Sequence, residues 1–198
     1  MLSLLNLERI QEILLHVPRL VDELERHDSH FAASIKRWLV DLEEICSNNR
    51  LPLAADLAVL RGVLISTERG LIPEGMSFEG RVTPRKLREI AAAEVLRKAE
   101  SLVSDGIRGA LAHYADGEKL ARQIVMLAQS KGLVAQAAAV AGHSNMLTVL
   151  WSIMMAEPEL GPAATHLAGL VGLSDALILL DRMLPSATPV DNGMSRVP

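Results

Sequence analysis

Gly132-Leu133-Val134-Ala135-Gln136-Ala137-Ala138-Ala139-Val140-Ala141-Gly142-His143-Ser144-Asn145-Met146-Leu147-Thr148-Val149-Leu150-Trp151-Ser152-Ile153-Met154-Met155-Ala156 contains no Asp, Glu, Lys or Arg, and the reading of this run decides the fold. About 20 apolar residues suffice to cross a bilayer. Here, however, Gly142-His143-Ser144-Asn145 would set polar groups and a helix break near the bilayer centre, where both are costly. The run therefore reads as two short helices stacked on other helices in water, with no membrane span.

The rest of the composition agrees. Apolar residues make up 49% of the 198, but only five side chains are aromatic: two Trp, two Phe and one Tyr. Ala, Leu, Glu, Arg and Met, all good helix formers, dominate most windows, and the β-branched and aromatic residues that sheets use are sparse. This predicts an all-α fold whose core is filled by small or flexible side chains. Cys46 is the only cysteine, so no internal disulfide or paired-cysteine metal site can form, and a cytoplasmic location is expected. Residues 1–50 carry six basic and nine acidic side chains, 51–131 twelve and ten, and 132–198 two and five. No segment is strongly basic, which argues against nucleic acid as a general partner.

Upstream, Ile10, Ile13, Leu14, Val17, Leu20, Val21 and Leu24 recur at helical spacing, with a kink or break expected at Pro18. Asp28 or Ser29 caps a further helix whose apolar seam is Phe31, Ile35, Trp38, Leu39, Leu42, Ile45 and Cys46. Ser47-Asn48-Asn49 ends it, and Pro52 opens the next helix, which runs to about Ser66. Residues 67–83 lack helical periodicity and form a long loop. Its Leu71, Ile72, Met76 and Phe78 are unusually apolar for a free loop, and so either pack on the body or serve as anchors for a partner.

Thr83-Pro84 is a strong helix start, and the helix it opens runs to about Val103 with Glu94 and Lys98 at i, i+4 spacing. Breaks are expected at Ser104-Asp105-Gly106 and Asp116-Gly117, and Lys131-Gly132 reads as a helix C-terminus. The expected organisation is thus an N-terminal bundle over 1–66, the loop, helical hairpins over 84–184 sharing one core with the bundle, and a loosely held tail over 185–198. Eight or nine helices result.

Near the C-terminus the chain repeats at an offset of 30: Ala138, Gly142, Ser144, Asn145, Leu147, Leu150 and Met154 align with Ala168, Gly172, Ser174, Asp175, Leu177, Leu180 and Leu184. Each unit reads as two antiparallel helices, the glycine ending the first and the Ser-Asn or Ser-Asp pair capping the second. At His166-Leu167-Ala168 with Gly172, and at Ala138-Ala139 with Gly142-His143, residues 133–184 resemble the ankyrin repeat. That resemblance implies a stacked helical binding scaffold without catalysis.

Sites of chemistry are few. Arg108 and His113 have Arg-x4-His spacing and so resemble the signature of the HEPN ribonucleases, in which Arg would stabilise phosphate charge and His would transfer a proton. Arg81, Arg85, Lys86 and Arg88 are the densest basic cluster and the alternative site for phosphate contact, although no aromatic set accompanies them for base stacking. His27 and His30 lack a second ligand pair, so no metal is expected, and no cofactor motif is present. Cys46 lies on an apolar seam and reads as a buried, unreactive thiol. The leading expectation is a non-enzymatic protein-interaction or assembly protein that binds a partner or a second copy through its uncharged helices, with Gln136, Met146 and Leu173 on the binding face. The two alternatives are a HEPN-like ribonuclease using Arg108 and His113 and a nucleic-acid adaptor using the basic cluster.

Overall fold

The computed structural model describes residues 2–71 and 83–184, except for the side chains of 142–144. Among the described residues the chain is all-α, with eight helices and no strand: α1 (Leu4–Leu14), α2 (Val17–Glu25), α3 (Phe31–Asn48), α4 (Leu53–Glu68), α5 (Pro84–Ser130), α6 (Leu133–Ala156), α7 (Gly161–Val171) and α8 (Leu173–Met183). They fall into two compact units, Met1–Ala112 and His113–Pro198. No single described helix is long and apolar enough to cross a membrane.

In the first unit, the seam expected on α3 is buried in full, from Phe31 to Cys46. The helix packs against α1, α2 and α4. Leu4, Leu7 and Ile10 of α1, Val17 and Leu20 of α2, and Leu57 and Leu64 of α4 supply the opposing faces. Burying each such side chain contributes about 1.5–3 kcal/mol. Pro18 stands in the first turn of α2, where its missing N–H breaks no helical bond, so α1 stops at Leu14 and the chain re-enters at Val17. The Trp38 indole N–H donates to the Ile13 carbonyl at 2.9 Å, satisfying the one polar atom of a large buried ring and taking up a carbonyl near the end of α1. Before α3, Asp28 Oδ1 accepts the His30 N–H at 2.8 Å within the turn, but the N-cap is His30, with no side-chain cap bond, instead of the expected Asp28 or Ser29.

Two expected breaks do not occur. α5 opens as expected, with Thr83 Oγ1 accepting the Lys86 N–H at 3.3 Å, and ends before the left-handed Gly132, but it is unbroken for 47 residues. Gly106 and Gly117 serve close approach instead of turning the chain. A Cβ on Gly106 would lie 2.6 Å from Leu53 Cδ1 of α4. A Cβ on Gly117 would lie 2.8 Å from Val171 Cγ1 and 3.3 Å from Leu179 Cδ1. Burial of Val103 and Ile107 around the first glycine, and of Tyr114 and Ala121 around the second, outweighs the roughly 1 kcal/mol that glycine costs in a helix.

The uncharged run is also one helix. α6 continues through Gly142-His143-Ser144-Asn145, where a turn was expected, because alanine-rich and leucine-rich flanks favour helix and both are anchored, at Ala137 on one side and at Leu150 and Met154 on the other. The first half of the 30-residue repeat is therefore not a hairpin. In the second half the chain does turn at the glycine: α7 and α8 meet at a bend of 116° on Gly172, short of the antiparallel pair expected, and its φ of 88° and ψ of 151° only glycine adopts readily. Both pack on α6. Lys131, between α5 and α6, reaches Glu157 at 2.6 Å and Glu159 at 2.8 Å and fastens the connection into α7.

The glycines yield a paired test. Gly117→Ala should destabilise by about 1–3 kcal/mol, overpacking exceeding the gain in helix propensity. Gly109→Ala, on the same helix with nothing within 4 Å of its Cβ position, should stabilise by about 0.5–1 kcal/mol. Urea unfolding of the two variants should move the midpoint in opposite directions.

Glu94 of α5 gives a pH test. Hydrogen bonds from Arg97, at 2.9 and 3.1 Å, hold its carboxyl down to about 2 from the ordinary 4.5, with Lys98 at 3.3 Å assisting. A depressed folded-state value means that the stabilisation is complete above about pH 4.5 and is lost as the pH falls toward about 2. Solvent screens this surface pair, so Glu94→Gln should cost only about 0.5 kcal/mol near neutrality. Urea titrations across the pH range should show that gap closing below pH 4.5.

Candidate functional site

A helix that is apolar all round is normally buried all round. The first half of α6 departs from that rule. Ala137 is buried and Leu133, Val134 and Ala141 are partly covered, whereas Ala135, Gln136, Ala138, Ala139 and Val140 are exposed, Val140 to 70%. This segment thus rests on the protein along a narrow stripe and presents the rest of its circumference, without a single charge, to solvent. In the second half, Leu150 and Met154 are buried, Met146 is half-buried, and Met155 is exposed again. Leu173, at the start of α8, is 52% exposed. Of the anchors read from the sequence, Gln136 and Leu173 are therefore accessible and Met146 partly so. Leu71, just beyond α4, is 60% exposed, while Ile72, Met76 and Phe78 lie outside the described residues, as does the tail from 185.

Beneath this surface is a buried polar contact that sequence reasoning missed. The Tyr114 hydroxyl of α5 donates to Asp175 Oδ2 of α8 at 2.5 Å, with both residues buried. Gly172 holds the N-cap position of α8, so Asp175 falls in the first turn, where the positive end of the helix dipole favours a carboxylate. Ser174-Asp175 is thus not the capping pair expected, since no side chain caps α8, and Asp175 makes this contact instead. Its signal was present: Tyr114 is the only tyrosine, and Asp175 is the only charged residue between Leu160 and Leu180. Such a bond between buried partners fixes the approach of two helices more sharply than apolar contact does.

The residues suggested for chemistry are scattered. Arg108 and His113 are both exposed on α5, and Arg108 is paired with Asp105 one turn back. In the basic cluster, Arg85 donates to Glu89 and to the His27 carbonyl, each at 2.9 Å, and Arg88 donates to the Pro84 carbonyl at 3.2 Å. Lys86 is exposed, and Arg81 is outside the described residues. His27 faces Glu89 at 3.7 Å, and no group of three or more potential metal ligands comes together among the described residues. Cys46 is buried, and that burial pushes its thiol above its ordinary value.

No protein-family model, curated protein or solved structure matches the chain.

Tyr114→Phe should cost about 1–3 kcal/mol, since it leaves a buried carboxylate short of a donor. Chemical denaturation should show that loss, with Asp175→Ala at least as damaging.

Proposed function

We propose that the protein is a non-enzymatic interaction or assembly protein that docks another protein surface, a second copy of the chain included, through the outer face of α6. The observation that carries this reading is the exposure of a charge-free helical segment, Ala135 to Val140, that its own fold covers only along one stripe. Core regions of interfaces are depleted in charge, and the side chains at a contact set how near two helices come, so that small ones such as Ala138 and Ala139 let a second helix approach closely. Each Val- or Leu-sized side chain removed from water on docking contributes up to about 1.5–3 kcal/mol, which favours association without any polar pairing.

The reading predicts concentration-dependent association in light scattering, or capture of a specific protein from native cells. Ala139→Glu or Val140→Glu should weaken it at least about tenfold while leaving the thermal midpoint within a few degrees, because a buried unpaired charge is costly only in the interface. A wild-type chain that stays monomeric at high concentration and captures nothing would count against it. The same preparations assayed on RNA decide the ribonuclease alternative: cleavage abolished by Arg108→Ala and by His113→Ala would favour that reading instead.

A further inference from the structure

The first unit carries a surface of opposite character. The valley between α1 and α3 opens into a cleft of about 600 Å³ whose floor includes Ile13 and Ile45 and whose rim carries Glu12, Asp41 and Glu44. Leu15, just past the end of α1, stands at its edge with 76% of its surface in water. Arg9 is the one arginine or lysine in the lining, so its charge and those of the three carboxylates sum to one minus three, or −2. A second depression, around Val40, Glu43 and Arg61, shares Glu44 and Asn48 with it and extends the surface across α3.

Some carboxylates of the unit are paired and others, Glu25, Asp56 and Glu100 among them, are not; what sets this cleft apart is that three unpaired ones line a single depression together with apolar side chains. Glu23, Glu43, Glu68 and Glu89 each have an Arg or Lys within 4 Å. Among the described residues, Glu12, Asp41 and Glu44 have none. A neutral or acidic segment laid in this cleft would strip water from three carboxylates and return nothing, which disfavours it. A segment that brings its own cations satisfies them while covering Leu15, Ile13 and Ile45. From Asp41 to Asn48 is about 10 Å along the axis of α3, which matches two turns of a third helix lying alongside.

We propose that this cleft docks a basic amphipathic helical segment of a partner protein, with leucine-sized side chains on the isoleucine floor and Leu15, and Lys or Arg on Glu12, Asp41 and Glu44. The mode is that of a helix in a groove, with specificity set by charge and affinity by the apolar anchors. It is independent of the α6 reading, because the two surfaces share no residue.

The test uses the full chain and a fluorescent two-heptad peptide, Lys-Leu-Ala-Lys-Lys-Leu-Ala repeated once, read by anisotropy at low and moderate salt. Wild type should bind it, and the triple variant Glu12→Gln, Asp41→Asn, Glu44→Gln should bind about tenfold or more weakly. Leu15→Ser should weaken binding by about three- to tenfold. A triple variant of equal charge change on exposed acids elsewhere, Glu100→Gln, Glu118→Gln and Asp181→Asn, should bind like wild type, as should Val140→Glu. Circular dichroism confirms that each variant is folded. The proposal is overturned if wild type does not bind, if the distant triple variant loses as much affinity as the cleft variant, or if a peptide with serine for every leucine binds equally well.

Discussion

With five aromatic side chains in 198 residues, the interior has to be closed by bringing helix backbones near one another, since there are too few rings to fill wide gaps. α5 shows how. Its buried positions in the first unit include Ala91, Ala92 and Ala99, with Gly106 against Leu53; in the second unit they include Ala121 and Ala128, with Gly117 against Val171 and Leu179. Small side chains set the separation at which neighbours can pack, and the larger residues between them, such as Val95, Ile107 and Ile124, fill what is left. The same constraint explains why glycine is tolerated inside so long a helix: the neighbours occupy the space a Cβ would take.

That inversion of the glycine signal accounts for most of what the sequence concealed. Helix class, the seam on α3, the re-entry at Pro18, the start at Thr83-Pro84 and the ends at Gly132 and Gly172 were all legible, because each follows from local chemistry that tertiary packing does not oppose. Ser104-Asp105-Gly106, Asp116-Gly117 and Gly142-His143-Ser144-Asn145 carry turn chemistry too, yet lie within helices. What distinguishes the two groups is burial on either side, seen in Val103 with Ile107, Tyr114 with Ala121, and Ala137 with Leu150. A periodic count carried across the glycines would have found it. The 30-residue self-similarity misled for the same reason, since Gly142 and Gly172 occupy matching positions in sequence but only Gly172 has the backbone that ends a helix.

The candidate surface was legible in part. Absence of charge marked α6, but sequence could not separate a helix enclosed by neighbours from one resting on a single stripe, because both require apolar residues at every phase. The Tyr114–Asp175 contact was hidden for a different reason: its partners are 61 residues apart, and neither lies in a recognisable motif. The acidic cleft is legible only once α1 and α3 are placed side by side, since Glu12 on one and Asp41 and Glu44 on the other look like ordinary solvated positions in their own helices.

The solitary thiol has a practical bearing. Cys46 sits at the C-terminal end of the α3 seam, fully enclosed, and the sequence holds no second thiol to compete for a thiol reagent. Its rate of exchange with an external disulfide therefore counts excursions in which that seam parts from its neighbours. Nature has in effect installed a single-channel clock for the breathing of the N-terminal core, one that runs without any label being engineered into the chain.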